Sequence, residues 1–156
     1  MNRFKNLAIA FFVSPEILLA LGVFALVTLS PESAANLGNA IRSESEIWKY
    51  LPALTFIFAG AAINYSFKLR APLENSSNKA LYQWPLYHLL VDRVYIGLFY
   101  GISSAAASFI LWIIGQQLSP HHVALVFLIA TTVSGTTALT MLLAQQKLRE
   151  LLDKYT

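Results

Sequence analysis

The polar side chains that interrupt the apolar stretches of this sequence are the ones that could do chemistry. Thr132, Thr136 and Thr140 recur every four residues within the apolar stretch 123–144, so on a helix they share one face. Their hydroxyls predict either helix packing with bonds to the carbonyl four residues earlier, or a polar stripe that lines a pore or substrate path. The spacing is compatible with both interpretations.

One amide, that of Asn64, falls inside an apolar stretch, at residues 51–67. An amide surrounded by lipid needs a hydrogen-bonding partner, because acyl chains offer neither donors nor acceptors. We therefore expect Asn64 to bond another helix, with contact to a ligand as the alternative.

Small residues dominate the middle of the apolar stretch 94–115. Gly97, Gly101 and Ala105 follow one another at intervals of four residues, and most of the positions between Gly101 and Phe109 are alanine or serine. Such a surface lets neighbouring backbones approach closely in a membrane. We predict that these three residues pack against another helix, either within the chain or in another molecule.

Charged side chains avoid the centre of every apolar stretch. Glu16 falls near one end of the first stretch, and Asp92 and Arg93 immediately precede the third. Proton relays, ion-coupled transporters and voltage sensors generally carry ionisable groups at depth in the membrane. The pattern therefore argues against these functions.

The overall composition places the chain in a membrane. Of its 156 residues, 56% are hydrophobic and only 12% are charged, about half of the roughly 25% found in soluble domains. The sequence contains no cysteine, which excludes a disulfide scaffold and thiol chemistry. Because no catalytic or metal-binding motif is recognisable, we expect a protein that is not an enzyme and has neither a cofactor nor a metal site.

The elements that must position these residues are helices, since about 20 apolar residues are needed to cross the hydrocarbon core. The sequence predicts an all-α, integral membrane four-helix bundle with spans at 14–30, 51–67, 94–115 and 123–144. Ser14, Pro15 and Glu16 have the pattern of a helix start. Residues 4–13 either extend the first span or form an interfacial helix, and we favour one kinked helix.

The distribution of basic residues predicts the orientation of the bundle. Nine lysines and arginines fall on one side: Arg3, Lys5, Lys68, Arg70, Lys79, Arg93, Lys147, Arg149 and Lys154. The other side carries two, Arg42 and Lys49. The positive-inside rule therefore predicts that both termini are cytoplasmic, in a bacterial-type plasma (inner) membrane.

Two segments are predicted to lie outside the bilayer on the cytoplasmic side. The linker 72–93 carries Trp84, Tyr87 and Arg93, which form either an interfacial aromatic belt or a docking surface for a protein partner. The tail 145–156 continues the fourth span with an apolar stripe, which predicts membrane contact or self-association. A cytoplasmic partner would therefore bind through residues 68–93 and 145–156.

These observations predict a small inner-membrane subunit that associates with itself or with a partner in a larger complex. The alternative is a pore or small-solute channel built around residues 123–144, including one that forms the membrane component of a bacterial phage-defence system. A lipid-directed membrane enzyme is a weaker alternative. The bilayer and a second copy of the chain are the expected partners, and nucleic acid is not one.

Overall fold

The computed structural model describes residues 3–72 and 78–153 of the chain. The described residues are predominantly helical, with short turns between the helices and no strands. Seven helices follow one another: α1 (Arg3–Phe12), α2 (Pro15–Leu29), α3 (Pro31–Ser43), α4 (Ser45–Arg70), α5 (Lys79–Tyr82), α6 (Tyr87–Ile114) and α7 (Pro120–Asp153). Part of the predicted linker, residues 73–77, and the end of the predicted tail, residues 154–156, lie outside the described residues.

Four helical segments are long and apolar enough to cross a membrane: Ala8–Leu29, Ser45–Arg70, Tyr87–Ile114 and Pro120–Asp153. They confirm the predicted all-helical, multi-pass membrane architecture. The helices are longer than the predicted apolar cores, because polar residues at their ends continue the same hydrogen-bonded turns. The last third of the predicted linker, residues 87–93, thus belongs to α6, and the described part of the tail belongs to α7.

The first span is divided into two helices at Val13 and Ser14. Pro15 begins α2, and the Ser14 hydroxyl caps it by accepting a hydrogen bond from the Ile17 amide at 3.3 Å. This is a favourable helix start, because proline lacks the N–H that would otherwise need a partner there. The single kinked helix favoured from the sequence is therefore two helices with a capped break between them.

Helix α3 lies in the segment between the first two predicted spans and packs against the start of α7. Gly38 is the contact point, because a Cβ atom there would come within 1.8 Å of the Pro120 carbonyl oxygen. Arg42, one turn later, donates hydrogen bonds to the Leu118 and Gln116 carbonyls beyond the end of α6. This segment is thus a packed part of the bundle.

The centre of the bundle is formed by α4, α6 and α7, each of which packs against the other two, while α2 and α3 pack against α7. One apolar cluster, Ile41, Leu51, Leu111 and Val123, closes the end that carries α3. A second cluster, Leu69, Val94 and Met141, closes the other end. The outward surface is also strongly apolar, as a membrane requires.

Candidate functional site: an intramembrane polar cluster

The most unusual side chain in the bundle is Glu16, a carboxylate with no exposed surface. It lies in the first turn of α2, where the free amides of a helix N-terminus favour a negative charge. The spanning segment begins at Ala8, so Glu16 lies eight residues inside it. An ionisable group buried within a span is a candidate for function, and its partner must be identified.

That partner is Arg93 of α6, whose Nη2 donates to Glu16 Oε1 in an ion pair. The same nitrogen donates to Thr140 Oγ1 of α7 at 3.1 Å. The arginine side chain remains 29% exposed, whereas the glutamate is fully covered. One guanidinium group therefore joins α2, α6 and α7, three helices that are separated by long stretches of sequence.

Two threonine hydroxyls complete the cluster around the carboxylate. Thr137 Oγ1 lies 3.5 Å from Glu16 Oε1 but only 2.9 Å from the Val133 carbonyl oxygen. Thr140 Oγ1 lies 3.4 Å from the same carboxylate oxygen and 3.0 Å from the Thr137 carbonyl. A hydroxyl has one proton to donate, and the shorter bonds go to the backbone. Arg93 is therefore the principal partner of the carboxylate.

The pair is only partly satisfied. Glu16 Oε2 and Arg93 Nη1 are both buried and have no hydrogen-bond partner. Because an arginine keeps its proton in proteins, the two side chains do not form a general acid–base couple. What the arrangement does is hold three helices together around two opposite charges, each of which is costly to bury without the other.

A second polar contact fixes the break between α1 and α2 against α6. The Tyr100 hydroxyl donates to the Phe11 carbonyl at 2.7 Å and accepts from the Ser14 hydroxyl at 3.2 Å. The Phe11 and Tyr100 rings also stack, with 4.9 Å between their centroids. Tyr100 thus satisfies a carbonyl group at the end of α1.

The three small residues of α6 do not contact one partner. A Cβ atom on Gly97 would lie 2.0 Å from Met141 Cε, so this glycine accommodates α7. A Cβ atom on Gly101 would lie 3.7 Å from Ala59 Cα, so that residue faces α4. Ala105 lies buried in the floor of a groove between α4 and α6. Both glycines therefore contact helices of the same chain.

The predicted threonine stripe is divided between two environments. Thr140 belongs to the polar cluster, whereas Thr132 and Thr136 are half-buried and lie one to two turns closer to the N-terminus of α7. Sequence reasoning missed Thr137, which is fully buried beside Glu16. Its spacing could have identified it, because Thr137 lies three residues before Thr140 and both hydroxyls therefore fall near the same side of the helix.

Asn64 lies exposed on the outward face of α4, and its side chain makes no hydrogen bond among the described residues. The predicted bond to another helix is therefore not made within this part of the chain. Phe56, Ile57 and Phe67 on the same helix are likewise exposed, at 51%, 66% and 66%. The amide thus stands on a surface that otherwise suits acyl chains.

The residues predicted to dock a partner also separate. Trp84 is 44% exposed near the start of α6, and Tyr87 is half-buried against the Tyr82 ring, with 5.5 Å between centroids. The Arg93 guanidinium instead points into the bundle toward Glu16. Only the two aromatic residues of this set present a surface outside the bundle.

Fold and cluster together define an all-helical, multi-pass membrane protein with an intramembrane ion pair. No protein-family model, curated protein or solved structure matches this chain. Among the residues that the structure describes, no three histidine, aspartate or glutamate side chains come together as a metal site would require. The Glu16–Arg93 pair is flanked by hydroxyl groups.

Proposed function

We propose that this chain is a non-enzymatic membrane subunit that associates with a second copy of itself within the bilayer. The observation that carries the proposal is the Asn64 amide, which is exposed on a spanning helix and whose side chain has no hydrogen-bond partner among the described residues. The other polar groups considered above, in the cluster and at the helix break, are bonded within the molecule.

The position of Asn64 inside a spanning helix makes an unbonded amide unfavourable. The basic residues Lys68 and Arg70 end α4, and Asn64 lies four residues before Lys68, which is about 6 Å along the helix axis. Leaving such an amide without a hydrogen bond costs about 1–3 kcal/mol in proteins, and more in pure hydrocarbon. An interhelical hydrogen bond would recover part of this cost, and model peptides gain about 1–2 kcal/mol from such bonds.

A second copy of the chain is the partner that best matches this amide. Copies inserted in one membrane share orientation and depth, so a two-fold axis along the membrane normal brings Asn64 opposite Asn64. The amide carries both donors and an acceptor, and is therefore complementary to itself. Gly60 lies one turn earlier, and a Cβ atom there would meet nothing within 4 Å, which leaves room for a close helix crossing.

A shallow groove beside Gly60 extends this surface. It has a volume of about 410 Å³ and is lined by Phe56, Ala59, Gly60, Ile63, Ile102, Ala105, Ala106 and Phe109. Apolar side chains of a neighbouring helix would fit over its small floor residues, since close packing is what drives helices together in lipid. Of the three small residues predicted to pack on α6, Gly97, Gly101 and Ala105, only Ala105 would then contribute to association.

The pore alternative has less support from the same contacts. Thr140, one of the three threonines that would line the pore, accepts a hydrogen bond from Arg93 and donates to the Thr137 carbonyl. Bonds of this kind stabilise the packing between helices, and they leave fewer hydroxyl groups available for water.

The finer topology is also part of the proposal. The excess of basic residues near the termini and between the second and third spans supports a cytoplasmic location for both ends in a bacterial-type inner membrane. Reporter fusions at residue 156 and within residues 33–45 distinguish this orientation from the reverse one.

The substitution Asn64→Leu tests the proposed association. We expect the variant to fold but to shift toward the monomer, both in particle mass in a mild detergent and in energy transfer between labelled copies in liposomes. Thr28→Val is the matched control, because the Thr28 hydroxyl is exposed but already bonds to the Phe24 and Ala25 carbonyls. A monomeric parent protein, or an Asn64→Leu variant that associates as strongly as the parent, would contradict the proposal.

A further inference from the structure

A cavity at the end of the bundle that carries α3 has the chemistry of a headgroup site. Its volume is about 650 Å³, and it opens where the ends of α3, α4 and α6 meet. The lining residues are Arg42, Ser43, Ser45, Trp48, Lys49, Trp112, Ile113 and Gln116. The cavity lies at the start of α4 and the end of α6, whereas Asn64 lies near the end of α4 and Arg93 near the start of α6.

Two cations on the cavity wall have no carboxylate partner within the described ranges of the chain. The Arg42 guanidinium donates from Nη1 to the Leu118 carbonyl at 3.1 Å and from Nη2 to the Gln116 carbonyl at 2.7 Å. These bonds use two of its five N–H donors and fix its orientation. Lys49 Nζ lies 5.2 Å from the centre of the Tyr50 ring, and it forms no ion pair among the described residues.

Two tryptophan rings form the apolar walls. Trp48 packs so closely over the α6 terminus that a Cβ atom on Gly115 would lie 2.6 Å from Trp48 Cη2. Trp112 stacks on Phe109, with 5.9 Å between centroids, and remains 39% exposed. Tryptophan concentrates where acyl chains meet headgroups, because it combines an apolar ring with one N–H donor. Two tryptophans at the ends of two spanning helices are therefore typical of the level at which headgroups meet acyl chains.

We propose that this cavity binds the phosphate headgroup of an anionic phospholipid. Arg42 and Lys49 contact the phosphate, because Arg42 has donors left over and Lys49 carries an uncompensated charge. The tryptophan rings and Ile113 pack against the glycerol backbone and the upper part of an acyl chain. Two positive charges facing one phosphate favour a lipid with a net negative charge over a zwitterionic one.

A lipid is favoured over free phosphate because exposed apolar side chains form part of the cavity wall. Ile113 and Trp112, which line it, are 57% and 39% exposed. The acidic residues nearest in sequence, Glu44 and Glu46, are exposed but do not line the cavity. A soluble anion would use the two cations but would leave the aromatic and aliphatic walls uncovered.

Tryptophan quenching by brominated lipids tests the proposal directly. The Trp84→Phe background removes the third tryptophan, which lies at the other end of the bundle, so Trp48 and Trp112 report on the cavity. The protein is reconstituted in bilayers that contain either brominated phosphatidylglycerol or brominated phosphatidylcholine, with bromine near the headgroup end of the chains. We expect stronger binding of phosphatidylglycerol, and Lys49→Gln should reduce the preference about fivefold.

Lys147→Gln is the charge-matched control, because Lys147 lies in an exposed pair with Glu150 on the tail of α7. It should leave the lipid preference of the two tryptophans unchanged. Equal quenching by the two lipids, or the same preference in the Lys49→Gln variant, would overturn the proposal. The preference should survive moderate inorganic phosphate, because the lipid adds apolar contacts; if phosphate abolishes it and chloride at the same ionic strength does not, the site binds the free anion and the proposal is overturned.

Discussion

The Glu16–Arg93 cluster and the outward face of α4 are two polar regions in one apolar bundle, and they treat their polar groups in opposite ways. In the cluster, a fully buried carboxylate pairs with Arg93, and that arginine also bonds Thr140. On α4, the neutral Asn64 amide is exposed and unbonded. Formal charge alone therefore does not decide which polar group finds a side-chain partner among the described residues.

The largest effect on stability is expected when one member of the Glu16–Arg93 ion pair is removed. Glu16→Leu leaves the Arg93 guanidinium without its counter-charge, and loss of one partner of a buried pair typically costs about 3–5 kcal/mol. We expect this variant to accumulate poorly and to unfold at a lower temperature after detergent extraction.

The double variant Glu16→Leu with Arg93→Met is the decisive control for that experiment. It removes both charges and replaces them with apolar side chains, a change that is often neutral for buried pairs. Recovery of accumulation and thermal stability would support a helix-joining role. If the double variant were as unstable as the single one, the pair would have a function beyond mutual neutralisation of charge.

Two glycine substitutions test the difference between a residue packed inside the bundle and a residue on its outer surface. Gly97→Leu should destabilise the bundle by about 1–3 kcal/mol through overpacking, because a Cβ atom there already meets Met141 Cε. Gly60→Leu should leave the unfolding temperature unchanged, since the space around this residue is open. It should, however, weaken self-association in liposomes. If the Gly60→Leu variant associates as strongly as the parent, the two copies do not cross at Gly60.

The smallest effect is expected at Thr132 and Thr136. Cysteines at these half-buried positions should stay unreactive toward a small hydrophilic thiol reagent, because we expect helix packing there. The chain has no native cysteine, so the background is clean. Gln116→Cys, at the exposed end of α6, is the reactive control. Modification of both threonine positions in the folded protein would favour the pore.

Sequence patterns anticipated the elements better than their contacts. The four spans could be predicted because their length and apolar character are visible in any window of the chain. The start of α2 could be predicted as well, since Ser14 and Pro15 act locally. The helical character of α3 was missed, because it depends on packing against α7 through Gly38.

The candidate site shows the same limit. Thr140 was selected for its spacing and Arg93 for its place near the interface, but nothing in either pattern joined them to Glu16. The pairing depends on how α2, α6 and α7 are rotated about their axes. Asn64 was selected as the one amide in its span, although its exposure on α4 could not be read from residues 51–67.

By itself, the sequence determined that this chain is a helical membrane protein with four spans, because only long apolar helices satisfy their backbone groups in lipid. Tertiary structure alone decided which side of each helix faces the bundle. The physical reason is that an apolar helix in lipid has little polar face to set its rotation. Shape then decides, so Gly97 faces α7, Gly101 faces α4 and Gly60 is left facing outward.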